Sequence, residues 1–331
     1  MPATITDVAA RAGVSPATVS RGLLGSPRVS PGALERVRAA IAELDYRPSG
    51  VARSLRRQRT GTLGLIVTNI MNPFYPEIVR GAEDAAQRMG SSIILCNAAE
   101  DPEREIAYLE LLLERRVDGV IVAAGGLTKR HEEFLSAFSL PLVTINADLP
   151  GGQVPAVLSD DHEGGRAATL HLLELGHTRL IHISSPAVRE SFSLRLDGVK
   201  EAIAASGGDV SLEVVEGDGY LDGGEAAREV AGRLRPPYAI VAHNDLTAVG
   251  AMHALFDLGV RVPDQVSVVG FDDIALAAHM NPGLTTIAQD KYAMGRLAVE
   301  TIARMLAGET VRGNLILPVR LVVRGSTGPA R

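Results

Sequence analysis

The stretch TITDVAARAGVSPATVSRGLLGSPRVS, residues 4–30, decides how the chain begins. Thr4-Ile5-Thr6-Asp7 has the Ser/Thr-x-x-acid spacing in which a side-chain oxygen satisfies a free amide at a helix start. It predicts a short helix to about Ala12, ended by Gly13, which enters the left-handed conformation without steric cost. Ser15-Pro16 reads as an N-cap followed by proline at the first helical position, so a second helix starts within a few residues. Two short helices across a tight glycine turn, with Val8, Ala9, Val14 and Val19 spaced to pack together, form a helix-turn-helix whose second helix reads a DNA groove. Such a pair buries too little surface alone. Ser30-Pro31 repeats the cap-plus-proline signal, and Leu34, Val37, Ile41 and Leu44 follow at spacings of three and four, the stripe of a third helix that closes the small core.

Outward from this head the charge changes sign. Residues 1–59 hold ten arginines against four acids, a net +6, leaving −12 for the rest of a chain whose total is −6. A basic head on an acidic body suits a polyanion-binding module joined to a regulatory domain, although solvated arginine-rich faces are also common. The segment SGVARSLRRQRTG, residues 49–61, is short, basic and rich in small residues, the composition of a linker. Its Leu55 is either a surface leucine or a wedge for insertion between base steps.

At 331 residues the chain is long enough for two or three compact units. In the body, apolar runs alternate with amphipathic segments. Residues 63–68, 92–97, 119–124 and 141–146 read as buried parallel strands of one doubly wound lobe, and residues 179–184, 213–218, 238–245 and 266–273 as those of another. The fold class expected is therefore α/β, a three-helix head on a bilobed body of two parallel-sheet subdomains. Ligands of such sheets bind beyond the carboxyl ends of the strands, where Asn146, Asp160, Asp161, Asn244, Asp245, Asp272 and Asp273 stand. Several together suggest a hydroxyl-binding cleft, while for Asp245 and Asp273 helix capping is the preferred reading. Met294, Leu297, Ala298, Ile302 and Leu306 form one face of a late helix.

The residue 4–30 stretch, followed by LDYRPSGVARSLR (44–56) and TGTLGLIVTNIMNPFY (60–75), closely resembles the LacI/GalR family of bacterial transcription regulators. The resemblance covers essentially the whole chain. It implies a DNA-binding head over residues 1–48, a hinge over 49–60 and an effector-binding and dimerisation body over 61–331. Within the body it implies one subdomain of about 61–159 and 290–318 and another of about 160–289 and 319–331. Carried over position by position, it gives Pro16, Ala17 and Arg21 base-reading positions and Thr4, Ser15, Thr18, Ser20 and Arg28 backbone-holding ones. Ala52 and Leu55 match a segment that in relatives becomes helical only on DNA, where paired leucines pry open a base step, and the resemblance implies the same role here. Arg21 suits guanine O6 and N7, and the Ala17 methyl suits a thymine methyl. Leu24 stands where many relatives carry asparagine.

In the body the resemblance puts Arg195, Asn244 and Asp272 at effector-gripping positions, with Phe74, Tyr75, Asn146, Asp160, Tyr220 and Gln289 at further cleft positions. Arginine and aspartate bond vicinal hydroxyls in a bidentate manner, which suits a sugar, with a nucleobase or nucleoside as the other candidate. Sugar-binding relatives often have an aromatic after Gly-Asp; here Gly219 takes that place and Tyr220 follows.

Three function classes are compatible with such a body: a ligand-switched regulator of a pseudo-palindromic operator, an exported sugar-binding receptor, and an enzyme. The head and the lack of a signal peptide at residues 1–13 count against the second and lead to an expectation of a cytoplasmic protein. No P-loop, GxGxxG or GxSxG occurs, so no enzyme and no cofactor are expected. His131-Glu132-Glu133 and Asp160-Asp161-His162-Glu163 lack paired histidines at helical spacing, so no metal is expected either. The lone Cys96 reads as a small buried hydrophobe. No membrane association is expected, and without leucine heptads after Arg324 the assembly expected is a homodimer.

Overall fold

A computed structural model of the chain describes residues 3–23, 26–46, 59–123, 134–135, 138–149, 154–185 and 190–331. The chain divides into two compact units, Met1–Thr60 and Gly61–Arg331. Leu24, Ala52, Leu55 and His131-Glu132-Glu133 lie outside the described residues.

The first unit holds three helices, α1 (Ile5–Ala12), α2 (Pro16–Leu23) and α3 (Pro31–Glu43). Thr4 and Asp7 make the reciprocal capping box, and Gly13 closes α1 at φ 62°. Ser15 Oγ accepts the Thr18 amide at 3.2 Å, as its place before Pro16 predicts. Ser30 adopts extended backbone before Pro31 but makes no side-chain cap bond, so that start rests on proline alone. Val8, Ala9, Ala12, Val19, Val37, Ala40 and Tyr46 form the core, with Val14, Ile41 and Leu44 half-buried around it. Arg36 Nε donates to the carbonyl of Ala12 at 3.1 Å, so α3 satisfies a free acceptor at the end of α1.

The second unit contains two six-stranded sheets. In chain order its elements are β1 (Thr62–Val67), α4 (Phe74–Arg88), β2 (Ser92–Asn97), α5 (Pro102–Glu114), β3 (Gly119–Ala123), β4 (Leu142–Ile145) and β5 (Ala156–Ser159). They continue with α6 (Asp161–Glu174), β6 (Arg179–Ser184), α7 (Glu190–Ser206), β7 (Ser211–Glu216), α8 (Gly219–Arg233), β8 (Tyr238–Ala242), α9 (Asp245–Asp257) and β9 (Val266–Asp272). Last come α10 (Ala275–His279), β10 (Thr285–Ala288), α11 (Lys291–Leu306), β11 (Leu315–Leu317) and β12 (Arg320–Val322). The sheet orders are β11-β5-β4-β3-β1-β2 and β12-β10-β9-β8-β6-β7. All recorded pairings are parallel except β10 with β12.

The chain crosses between sheets after β5, after β10 and between β11 and β12. Helix α11 returns to the first sheet and packs Met294, Ala298 and Ile302 against Ile78 and Ala82 of α4. Two strands depart from the expected burial. β2 and β7 are sheet edges, and Ile94, Leu95 and Val214 are exposed, because an apolar run does not reveal which strand ends up outermost.

Within the second sheet's helical layer, α6 and α7 cross at bare backbone. A Cβ on Gly165 would fall on the Arg195 carbonyl, and one on Gly198 on the His162 carbonyl. This crossing sets where Arg195 stands.

Candidate functional site

On the head, Pro16, Ala17 and Arg21 lie exposed along α2, with Thr18 and Ser20 half-buried beside them. The exposed Arg21 guanidinium has no hydrogen-bond or ion-pair partner among the described residues. An exposed proline and a methyl flanking a free guanidinium make a surface that bonds through one residue and otherwise packs. Thr4 is occupied locally: its N–H and hydroxyl both donate to Asp7 Oδ2, at 2.8 and 2.7 Å. These bonds hold the Asp7 carboxyl below its ordinary range. Ser15 and Thr18 share a hydroxyl bond at 2.9 Å, and exposed Arg28 sits in the turn before α3.

In the body, the described polar side chains converge where the strands end. Arg195, on α7, is buried; its Nε donates to Asp161 Oδ1 at 2.7 Å and its Nη1 to the His243 carbonyl. Its guanidinium lies 3.6 Å from the Phe271 ring centroid. Such stacking fixes the plane of the fork. Burial raises the Asp161 carboxyl, and the Arg195 charge opposes that rise.

Asp272 ends β9 at φ 120°, a conformation that is strained for a side-chain-bearing residue. Gln289 Nε2 donates to its Oδ1 at 2.6 Å, and Ser159 Oγ donates to Gln289 Oε1 at 2.6 Å. Ser159 ends β5 of the first sheet, so this chain of bonds ties both sheets to one carboxylate. Lys291, buried at the start of α11, donates to the carbonyls of Asp272 and Asp273 and stands 3.7 Å from Glu77 on α4. Burial pushes the Asp272 carboxyl up to about 7, with Arg195 and Lys291 pulling the other way.

Asn244 caps α9: its Oδ1 accepts the Thr247 amide at 2.8 Å, and its Nδ2 faces His243 Nε2 at 3.0 Å. Asp160 caps α6 by accepting the Glu163 amide at 3.0 Å. Asn146 follows β4 at φ 55°, and its buried Oδ1 has no partner among the described residues. A buried acceptor left so costs about 1–3 kcal/mol, and a ligand hydroxyl would relieve it. Phe74 and Tyr75 meet edge to face at 5.3 Å, buried at the start of α4.

Three expectations need correction. Tyr220 is not gathered with the other cleft residues; its hydroxyl meets His253 Nδ1 at 2.5 Å and its ring stacks on His253. It lines a separate groove of about 740 Å³ with Met252, Phe256 and Met280, because α8 begins at Gly219 with φ 76° and turns the next side chain towards α9. Asp245 does not cap its own helix. Its buried carboxylate accepts the Ile274 amide at 2.8 Å and the Thr286 hydroxyl at 2.5 Å, bracing the loop after β9. Asp273 instead pairs with Arg324 at 2.6 Å.

Lys291, His243 and Ser159 escape the sequence reading, and Asp161 enters it only as a polar residue at the crossing between lobes, without its partner Arg195. Only the rule of listing residues just past each strand pointed near them. The run from Asp160 to Glu163 has other employment: Glu163 pairs with Arg166 and His162 with Glu201. Among the described residues, no group of three or more metal-ligating side chains converges. No described helix is long and apolar enough to cross a membrane.

Residues 4–49 match the family described as bacterial regulatory proteins, lacI family, and residues 169–327 match the periplasmic binding protein-like domain. The chain is 36% identical over 329 residues to the ribose operon repressor of Escherichia coli (strain K12), covering 98% of this chain and 99% of that protein. The Lac repressor dimer bound to operator and the anti-inducer ONPF superposes with a TM-score of 0.90 at 29% identity, over 99% of this chain and 100% of that one. A LacI family regulator from Enterococcus faecium with bound ribose superposes at 0.74 with 29% identity, over 82% and 100%. The chain belongs to the lacI family and is a DNA-binding transcriptional regulator with a periplasmic-binding-protein-like body.

Proposed function

We propose that this regulator is a repressor switched by an uncharged polyhydroxylated effector, a pentose of the ribose type. The effector lies against Arg195, Asn244, Asp272 and Gln289, with Asn146, Asp160, Phe74 and Tyr75 completing the pocket. The bond chain from Ser159 through Gln289 to Asp272 carries this reading, because a ligand that engages Asp272 acts on both sheets at once. Charge favours a neutral ligand. Arg195 is matched by Asp161, and Lys291 by two carbonyls and Glu77, so neither cation is left over for a phosphate.

The division proposed is a head of residues 1–48, a hinge of 49–60 and a body of 61–331. Its subdomains are about 61–159 with 290–318, and about 160–289 with 319–331. The regulator works in the cytoplasm as a homodimer that presents two heads to a pseudo-palindromic operator, and occupancy of the bodies changes how the heads fit both half-sites. It performs no catalysis and carries no cofactor. In the head, Arg21 reads a base while Thr4, Ser15, Thr18, Ser20 and Arg28 hold the backbone; Ala52 and Leu55 act at the central step.

The test is thermal unfolding with D-ribose, other pentoses, hexoses and nucleosides, since a ligand of the native state raises the melting temperature. A rise with D-ribose that disappears in Arg195→Ala and Asp272→Ala is expected. A rise with nucleosides alone would replace the pentose, and a rise untouched by both substitutions would remove the pocket from this place.

A further inference from the structure

Four side chains at three adjacent strand ends of the second sheet form a line beside the proposed pocket. Ser185 Oγ donates to Asp218 Oδ2 at 2.5 Å, Asp218 Oδ1 lies 3.2 Å from His243 Nε2, and His243 Nε2 lies 3.0 Å from Asn244 Nδ2. On the far side of the ring, Nδ1 is 3.2 Å from the Ile183 carbonyl. The serine bonds to the carboxylate rather than to the imidazole, so this is not the arrangement of a nucleophilic triad.

The protons of the ring follow from its neighbours. A carbonyl only accepts, so Nδ1 carries hydrogen. Asn244 Oδ1 is fixed by the Thr247 amide, so the group facing Nε2 is an NH₂, which only donates; Nε2 is therefore bare. Yet the same Nε2 also faces Asp218 Oδ1, an acceptor. One nitrogen cannot satisfy both. As a neutral imidazole it holds the Asn244 amide; as an imidazolium it donates to Asp218 and opposes the Asn244 N–H.

Resting on the effector reading above, we infer that His243 is a positioning residue, and that its choice between Asn244 and Asp218 decides whether the Asn244 amide is preset for the effector. In the neutral state both ends of the amide are fixed, leaving one N–H for a ligand hydroxyl. In the protonated state that N–H is released. Effector binding is then coupled to loss of a proton, and affinity falls in acid. Among the described residues, the charged and titratable groups that act on the ring are Asp218 from the loop after β7, Arg195 from α7 and His182 from β6. Burial favours the neutral ring, with Asp218 opposing. The His243 carbonyl also holds Arg195 Nη1, so the same residue positions a second proposed contact through its backbone.

The experiment combines two readouts on the full chain. Imidazole nitrogen spectra of the ligand-free protein, with the His243 signal assigned by His243→Gln, are followed across pH in the wild type and Asp218→Ala. Dissociation constants for D-ribose are measured in parallel. The expected spectrum at high pH is the tautomer with hydrogen on Nδ1, and Asp218→Ala moves its protonation to lower pH. Asp272 titrates in both proteins, so the affinity readout is the ratio of wild-type to variant dissociation constants. It is expected near one at about pH 8 and about fivefold at about pH 5.5, within the tenfold per pH unit that linkage to one proton permits. Hydrogen on Nε2 in the neutral ring, a protonation midpoint unmoved by Asp218→Ala, or a ratio constant with pH would each overturn the switch. Absence of ribose binding at every pH, with the expected spectra, upholds the switch and rejects only the pentose.

Discussion

Replacing Arg195 by methionine keeps most of the buried stem but removes the guanidinium that Asp161 faces at 2.7 Å. Both side chains are at most about one-twentieth exposed, so solvent cannot take over the pairing. Breaking a buried pair from one side costs about 3–5 kcal/mol, because the remaining carboxylate must either stay charged without a partner or take up a proton. At about 2–4 °C per kcal/mol for a domain of this size, the melting temperature of the body is expected to fall by roughly 6–20 °C at neutral pH. Asp161→Asn in the Arg195→Met background removes the stranded charge and is expected to recover at least about half of that loss. The assay is calorimetric or denaturant unfolding of the four proteins, read as a double-mutant cycle. A loss below about 1 kcal/mol in the single variant, or no recovery in the double, would refute the view that this pair sets the arginine. The double variant is also the fair background for ligand tests, since it separates a lost contact from a loosened fold.

Gly165→Ala is expected to destabilise the body by at least about 1–3 kcal/mol, because the new methyl meets the Arg195 carbonyl where α6 and α7 cross; a neutral effect in urea unfolding would contradict that packing. Asp272 has a carboxyl raised to about 7 from an ordinary 3.8, so its stabilising contribution is complete below about 3.8 and is lost as pH rises through about 7. Asp272→Asn is therefore expected to flatten the fall of stability across that window, checked by melting temperature against pH. In the head, Arg21→Ala is expected to broaden operator preference in a binding-site selection. Leu55→Ala is expected to reduce operator bending in a gel-phasing assay.

The head was legible almost residue by residue. Thr4 with Asp7, Gly13, and Ser15 with Pro16 are local signals, and each operates within one helical turn. The central strands were legible because buried parallel strands are continuous apolar runs. Strands β5, β10, β11 and β12 were not, being three or four residues long, and the apolar stretch that holds β11 and β12 is broken by Pro318 and Arg320. The cleft was half legible. Asn244 and Asp272 follow strands, and that placement alone marks them. Lys291 reads as the polar start of a helix, and only the fold reveals that its ammonium is buried on two carbonyls of another chain segment. His243 reads as the last residue of a strand. Its role depends on Asp218 and Ser185, each more than 20 residues away, and no local pattern encodes such a meeting.

The most direct measurement is operator binding by the full-length protein, titrated against a selected duplex and random competitor with and without D-ribose. A clear preference for the selected duplex, with a dissociation constant that moves on adding the sugar and stays still in Asp272→Ala, is the expected result. Equal binding to both duplexes, or a preference that no pentose alters, would contradict a head governed by occupancy of the bilobed body.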